Sequence, residues 1–384
     1  MFDVSGSVIG VVDGHNDLPW RMRQVDYDLS RRDVSRPQSE LHTDLPRARQ
    51  GGLVGQFWSV FVPCNLRGAD AVTATLQQVD FVHELVAAHP EDLRLVTSAS
   101  GLQECLDGDV GGPIACLMGA EGGHSIDDSL GVLRNLYRLG VRYLTLTHNE
   151  NTAWADSATD EPRHGGLTDF GRTVVTELNR LGMMVDLSHT SPDTMRDAMD
   201  ASRAPVIFSH SSCRAVCDHP RNVPDDVLGR LATDGGLVMI TFVPQFVSPP
   251  VAEWELDLAE RCRAAGVDPH DTAGYDRVAA EAPPRPQARL ADVVAHCEHA
   301  REVAGIRHIG IGGDYDGVST TPVELPDVAS YPRLLAALAD LGWSRADLTS
   351  FAHGNLIRVM HEVERVGARL RATTVPAWQP IPRS

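Results

Sequence analysis

The 384-residue chain contains no lysine, and all 34 of its basic residues are arginine. That excludes a Schiff-base lysine, a P-loop lysine and a lysine general base. Cysteine is sparse: there are seven, an odd number without regular spacing, and Cys213 and Cys217 have no second close pair beside them. This argues against a disulfide framework and for reduced, mostly buried thiols in a cytosolic protein. No apolar run reaches the ~18 residues of a membrane helix. The start lacks a basic region followed by an apolar one, and the final Pro-Ile-Pro-Arg-Ser carries no anchor signal. A cytoplasmic location without a membrane partner is therefore expected. Basic charge is also short, at 34 residues against 52 acidic ones; the net −18 argues against nucleic acid and anionic membrane surfaces as partners. With 42% apolar residues the chain can bury a large core, as one large domain or two ordinary ones.

What is present is a repeated alternation. Eight short apolar runs read as strands: Val8 to Val12, Leu53 to Val62, Ile114 to Met118, Val141 to Thr147, Met183 to Leu187, Pro205 to Phe208, Leu237 to Phe242 and His308 to Ile311. Helical periodicity separates most of them, as in Ala69 to Ala88, Leu130 to Leu139 and Thr168 to Leu181. Helix starts are marked at Ser191-Pro192-Asp193 and at Val223-Pro224-Asp225-Asp226. Strands alternating with helices pair in parallel through right-handed crossovers, and eight such units predict an α/β fold, a (β/α)8 TIM-type barrel, over residues 1–384 as a single domain. An open doubly wound sheet is the alternative, but the phosphate-binding glycine pattern is missing after the first strand. Residues 18–52 and 244–289 exceed what a barrel needs and would lie over its mouth, as lids or as decoration. Amphipathic helices over Leu334 to Leu341, Arg345 to Ala352 and Leu356 to Leu370 would complete the outer ring.

The chemistry sits where the strands end. His15 and Asp17 follow the first strand, and residues two apart in extended chain point the same way. Glu121, His148, His189, His210 and Asp314 follow five others. A barrel brings these ends to one mouth. Imidazoles with several carboxylates favour a borderline divalent cation, zinc first. Glu121, with Gly119, Gly122 and Gly123 leaving room around it, is the candidate bridge; His15 and Asp17 would hold one metal, His189 and His210 the other. Without lysine, no carboxylated lysine can bridge, so a side-chain carboxylate must. A pair roughly 3.5–4 Å apart shares a hydroxide as nucleophile.

Seven stretches resemble the membrane (renal) dipeptidase family of binuclear zinc peptidases, within the amidohydrolase-type barrels. They are Asp13 to Pro19, Gly119 to Gly122, Leu144 to Asn149, Asp186 to His189, Phe208 to Ser212, Arg221 to Asp226 and Gly312 to Gly317. They span about 300 residues in the family's order. The resemblance implies two Zn2+ per chain on His15, Asp17, Glu121, His189 and His210. It implies that His148 contacts the scissile carbonyl oxygen, that Arg221 pairs with the substrate's terminal carboxylate, and that Asp314 handles the proton of the bridging water. Dipeptides, including those with a C-terminal D-residue, and a homodimer are expected from it. An Arg fork suits a carboxylate, though Arg221 also reads as a helix-start partner of Asp225 or Asp226. Arg214 is placed near the substrate side-chain pocket, with a surface arginine as its other reading. Two rivals stay open: an N-acyl-D-amino-acid deacylase on the same site, and a metal-binding scaffold without catalysis.

Overall fold

The computed structural model describes residues 9–107, 111–267 and 272–378. Among these residues nine parallel strands form one sheet: β1 (Val11–Asn16), β2 (Leu53–Phe61), β3 (Leu93–Leu95), β4 (Ile114–Glu121), β5 (Val141–Thr145), β6 (Met184–Asp186), β7 (Ile207–Ser211), β8 (Leu237–Ile240) and β9 (Ile309–Ile311). The order is β2-β1-β9-β8-β7-β6-β5-β4-β3, and β2 also pairs with β4 from Gly55–Ala115 to Phe61–Glu121. That pairing closes eight strands into a barrel ringed by helices. β3 is left outside the closure, on the lower half of β4 beside the point where β5 joins the upper half. The sequence pattern misses β3, because Leu-Arg-Leu is too short to show a period.

All eight expected strands are present, with shifted ends. Val8, the expected start of the first, lies outside the described residues. Three strands continue through the polar residues taken as their ends: β1 through His15, β4 through Glu121 and β7 through His210. Those residues are buried inside the barrel mouth, where polarity does not mean the edge of the fold. The helix Ala69–Ala88 matches its expected span, and Asp169–Leu181 is capped by Thr168, whose side chain accepts the Gly171 N–H. Within residues 244–289 a helix runs Pro249–Ala264, its two prolines occupying the first turn.

Along β4 alternate residues share a face. Ala115 and Leu117 join an inner cluster with Val12, Phe57, Tyr143, Ile207, Leu237 and Met239, and Glu121 stands above it on the same face. The last helix, Asn355–Thr373, does more than complete the ring: Leu356, Met360 and Val363 join that inner cluster. Apolar packing therefore fills the lower barrel and leaves the upper end for polar groups. Among the described residues no helix is long and apolar enough to cross a membrane.

Candidate metal centre

Two β-bulges aim the histidines. Between the pairs Asp13–Gln56 and Asn16–Trp58, β1 has one residue more than β2, and between Phe208–Val238 and Ser211–Ile240, β7 has one more than β8. An extra residue turns a strand's following side chains, and the two bulged stretches carry His15 and His210. This changes how His15 and Asp17 meet. They do not alternate along extended chain; Asp17 has left the strand and stands at the N-cap of helix Leu18–Arg23. His189 and Asp314 adopt φ of +68° and +61°, the left-handed region that side chains other than glycine use sparingly and that recurs at functional sites.

The Glu121 carboxylate divides the centre. Its Oε2 faces His15 Nε2 at 3.4 Å, and that nitrogen lies 3.3 Å from Asp17 Oδ2. Its Oε1 lies 3.0 Å from His189 Nε2 and 3.4 Å from His210 Nε2, and these two nitrogens are 2.9 Å apart. His15, Asp17 and Asp314 also bring donor atoms within 4.8 Å of one another. All five expected ligands thus converge, with one carboxylate oxygen on each side.

Neighbouring groups set the protonation of two imidazoles. His15 Nδ1 is 2.8 Å from the Tyr143 hydroxyl, which donates to Gly14 O at 3.3 Å, so the Tyr143 oxygen can accept from Nδ1–H. Against burial, which lowers it, Tyr143, Glu121 and Asp17 hold this imidazole well above its usual range, and a cation between the carboxylates would take the place of the Nε2 proton. His210 Nδ1 is 2.8 Å from Ser209 Oγ, which donates to Asp186 Oδ2 at 2.6 Å, so this oxygen too can accept from Nδ1–H. His15 Nε2 and Asp17 Oδ1 are buried without a hydrogen-bond partner. Donor atoms aimed at one point beside two carboxylates fit divalent cations, and buried polar atoms otherwise find partners.

Gly119 has a different use from the one expected. A Cβ there would lie 1.8 Å from Tyr143 Cζ, so the room it leaves is taken by the ring that reaches across the barrel to His15. At Gly123 a Cβ would meet Leu146 O at 2.4 Å. The space around Glu121 therefore admits protein atoms. Asp186 and Ser209 fall within stretches that resemble the family, but the resemblance assigns them no role, and nothing in the sequence marks Tyr143, in the middle of β5 and 128 residues from His15.

Above the centre a cavity of about 250 Å³ is lined by Trp20, Phe61, His148, Arg221, Phe246 and Asp314 among others. Trp20 comes from the 18–52 segment and Phe246 from 244–289, so both long segments contribute walls. His148 Nε2 is 4.0 Å from Glu121 Oε1, and burial pushes this imidazole down to about 4. Burial, then the Asp17 charge, holds Asp314 well above the usual carboxylate range. Arg221 is fully buried, its Nε and Nη1 are unpartnered, and burial lowers it to about 10. It makes no ion pair with Asp225 or Asp226, which bond His299 and Arg196 instead. Arg214 does not join the site: it pairs with Asp218 at 2.9 Å and is absent from the cavity wall, as one turn of separation along the chain places acid and base together. A larger cleft of about 940 Å³, lined by Arg230, Arg358 and Arg365, holds none of these groups.

The loop after β5 holds two of the histidines in place. Ser157 Oγ donates to the carbonyl of His148 at 2.6 Å and lies 3.3 Å from that of His189. Asp156 accepts the backbone N–H groups of Arg163, His164, Gly165 and Gly166, folding the loop back on one carboxylate.

The sequence profile of the membrane dipeptidase family, peptidase family M19, matches residues 7–374. Dipeptidase 3 of Rattus norvegicus is 42% identical over 365 residues, covering 93% of this chain and 65% of that protein. Human dipeptidase 3 is 43% identical over 371 residues, covering 94% and 67%. Dipeptidase verJ of Clonostachys rogersoniana is 40% identical over 381 residues, covering 95% and 87%. The chain thus spans about two-thirds of the length of its mammalian relatives. A Rhodobacter sphaeroides metallopeptidase, solved with a phosphinate mimic of the dipeptide L-Ala-D-Ala, shares the fold at a TM-score of 0.77 and 23% identity, covering 93% of this chain and all of that one. The solved metallopeptidase dipeptidase AC aligns at 0.77 and 24%, covering 93% and 99%. With the profile matched over nearly its whole length, the chain belongs to the membrane dipeptidase family, peptidase family M19.

Proposed function

We propose that the protein is a zinc-dependent dipeptidase that cleaves the peptide bond of short substrates, including dipeptides with a C-terminal D-residue. The observation that carries this reading is Arg221. A buried guanidinium with two unpartnered nitrogens is costly unless an anion meets it, and its planar fork suits a carboxylate. Set in the wall of a cavity beside the candidate metal centre, it would hold a substrate's C-terminal carboxylate at a fixed reach. The cavity volume of about 250 Å³ falls below the ~300–1,000 Å³ of common small-molecule pockets, which favours short substrates. The D-residue draws support from the Rhodobacter sphaeroides relative and its L-Ala-D-Ala mimic.

His15, Asp17 and Glu121 would hold one cation, and Glu121, His189 and His210 the other. Bound there, zinc would supply Lewis acidity toward the carbonyl oxygen and an acidified water as the attacking group. The chain's own residues do the rest. Arg221 fixes the substrate's end, so the scissile carbonyl faces the centre. His148 donates from Nε2 to the oxygen on which charge develops, a contact worth roughly 3–4 kcal/mol when preorganised. Asp314, beside Asp17, takes the proton of the attacking water and passes it to the leaving amine.

The test is turnover of a stereochemically varied dipeptide library, with N-acyl-D-amino acids alongside and metal content measured on the same sample. Two zinc ions per chain with dipeptide hydrolysis are expected. Metal-loaded protein that cleaves only the N-acyl substrates would move the function to a deacylase. Loaded protein that cleaves neither would leave a metal-binding scaffold.

A further inference from the structure

We infer that Cys64 is a positioning residue for His148, its thiol setting which nitrogen of that imidazole carries the proton. The inference rests on the dipeptidase reading, in which His148 donates from Nε2. Cys64 lies just beyond β2, half-buried, with Sγ 3.4 Å from His148 Nδ1. The opposite nitrogen of the ring, Nε2, faces an acceptor, the Glu121 carboxylate, at 4.0 Å. A thiol sulfur is a weak acceptor. It therefore offers a ring N–H little, while its S–H needs an acceptor and has Nδ1 within reach. The bond therefore runs from S–H to Nδ1. An imidazole whose Nδ1 accepts carries its proton on Nε2, the nitrogen turned toward Glu121 and the cavity.

The rest of the setting leaves little else for Cys64 to do. The His148 ring lies between Phe61, with centroids 4.7 Å apart, and His189, at 4.3 Å. Ser157 holds its backbone carbonyl. Ring position is thus secured by stacking and by the loop, and the proton's location remains to be decided. Burial raises the Cys64 thiol, which keeps the S–H proton in place and makes the sulfur a poor nucleophile. A positioning role suits it better than a reactive one.

The experiment compares Cys64→Ala, Cys64→Ser and His148→Ala in the zinc-loaded enzyme, reading kcat and KM separately on one dipeptide and measuring bound zinc. Outer partners of site histidines typically cost about 10–100-fold when removed. Cys64→Ala should lower kcat about tenfold, with KM and zinc content little changed, and the hydroxyl of Cys64→Ser should restore most of the loss. Wild-type kcat in Cys64→Ala, while His148→Ala is impaired, overturns the inference. Equal impairment of the Ser and Ala variants also overturns it, leaving packing alone. Wild-type kcat in His148→Ala instead overturns the dipeptidase role of His148. Nitrogen-15 spectra of histidine-labelled wild-type protein give a reading that does not depend on how the variants fold: His148 should show Nε2–H, and Nδ1–H would refute the assignment.

Discussion

Arg221→Met removes a buried charge but keeps most of the apolar stem, and it should move stability and activity in opposite directions. Arg221 drops from 12.5 to about 10 on folding because burial disfavours the guanidinium. Its folded pKa lies below its unfolded one, so the folded state carries the cost at every pH below about 10 and is relieved of it only as pH rises from there to 12.5. At about 1.4 kcal/mol per pKa unit this is about 3 kcal/mol. The substitution also loses two weak favourable contacts. One is the 3.4 Å bond from Nη2 to His210 O, about 1 kcal/mol. The other is the guanidinium over the Phe246 ring at 5.0 Å, ~0.5–1 kcal/mol. Arg221→Met should therefore stabilise the metal-free protein by about 1–2 kcal/mol at neutral pH, read as a higher urea midpoint at unchanged slope. The same variant should lose two charge-assisted hydrogen bonds of about 1.5–3 kcal/mol each to substrate, or roughly 10²–10⁴-fold in kcat/KM. A dipeptide amide, which lacks the carboxylate, should be cleaved equally poorly by both proteins. A variant less stable than wild type with kcat/KM within tenfold of it would refute the reasoning on both counts.

Ser209→Ala should weaken zinc binding about tenfold, measured by competition with a chromophoric chelator, because His210 Nδ1 loses the hydroxyl that joins it to Asp186; unchanged affinity would show that the link does not matter. His296 is buried, accepts the Cys213 N–H and faces Val247 O, and burial lowers it to about 4. Its neutral form favours folding above pH 6.5, and about 3 kcal/mol of that is lost as pH falls from 6.5 to 4. The destabilisation caused by His296→Ala should accordingly shrink by about that amount between pH 7 and pH 4, and a pH-independent difference would contradict the assignment. Gly119→Ala should destabilise by about 1–3 kcal/mol or more, since its Cβ falls on the Tyr143 ring. Gly229→Ala, inside helix Asp225–Asp234 with nothing within 4 Å, should stabilise by about 0.5–1 kcal/mol; denaturant unfolding of both variants checks the pair.

The barrel is legible in the sequence because each of its eight strands buries a run long enough to stand out from polar loops. Strand ends are less legible. His15, Glu121 and His210 look like punctuation along the chain, yet they are strand residues whose polarity serves the mouth of the barrel. The candidate ligands are named from residue type and position alone, and the structure brings them together. Their geometry is not legible in that way, since the bulges that aim His15 and His210 exist only between paired strands. Nor is the supporting layer: Tyr143 reads as an ordinary strand aromatic until the barrel closes and brings it to His15, and Cys64 reads as a stray thiol 84 residues from its imidazole. Arg214 shows the opposite error, a charged residue near a motif that is satisfied by Asp218 one turn along.

The carboxylate of Asp156 has a consequence for how the molecule opens. Burial pushes this acid up, but the amides it accepts outweigh that and hold it below its usual range. Four successive N–H groups, from Arg163 to Gly166, share that one acceptor. Withdrawal of that one carboxylate releases all four together. In deuterated water they should exchange at a common rate set by a single opening event. Because neighbouring Ser157 holds the carbonyl of His148, the same opening would loosen the candidate site, so the loop's exchange rate reports how often that site comes apart in the folded protein.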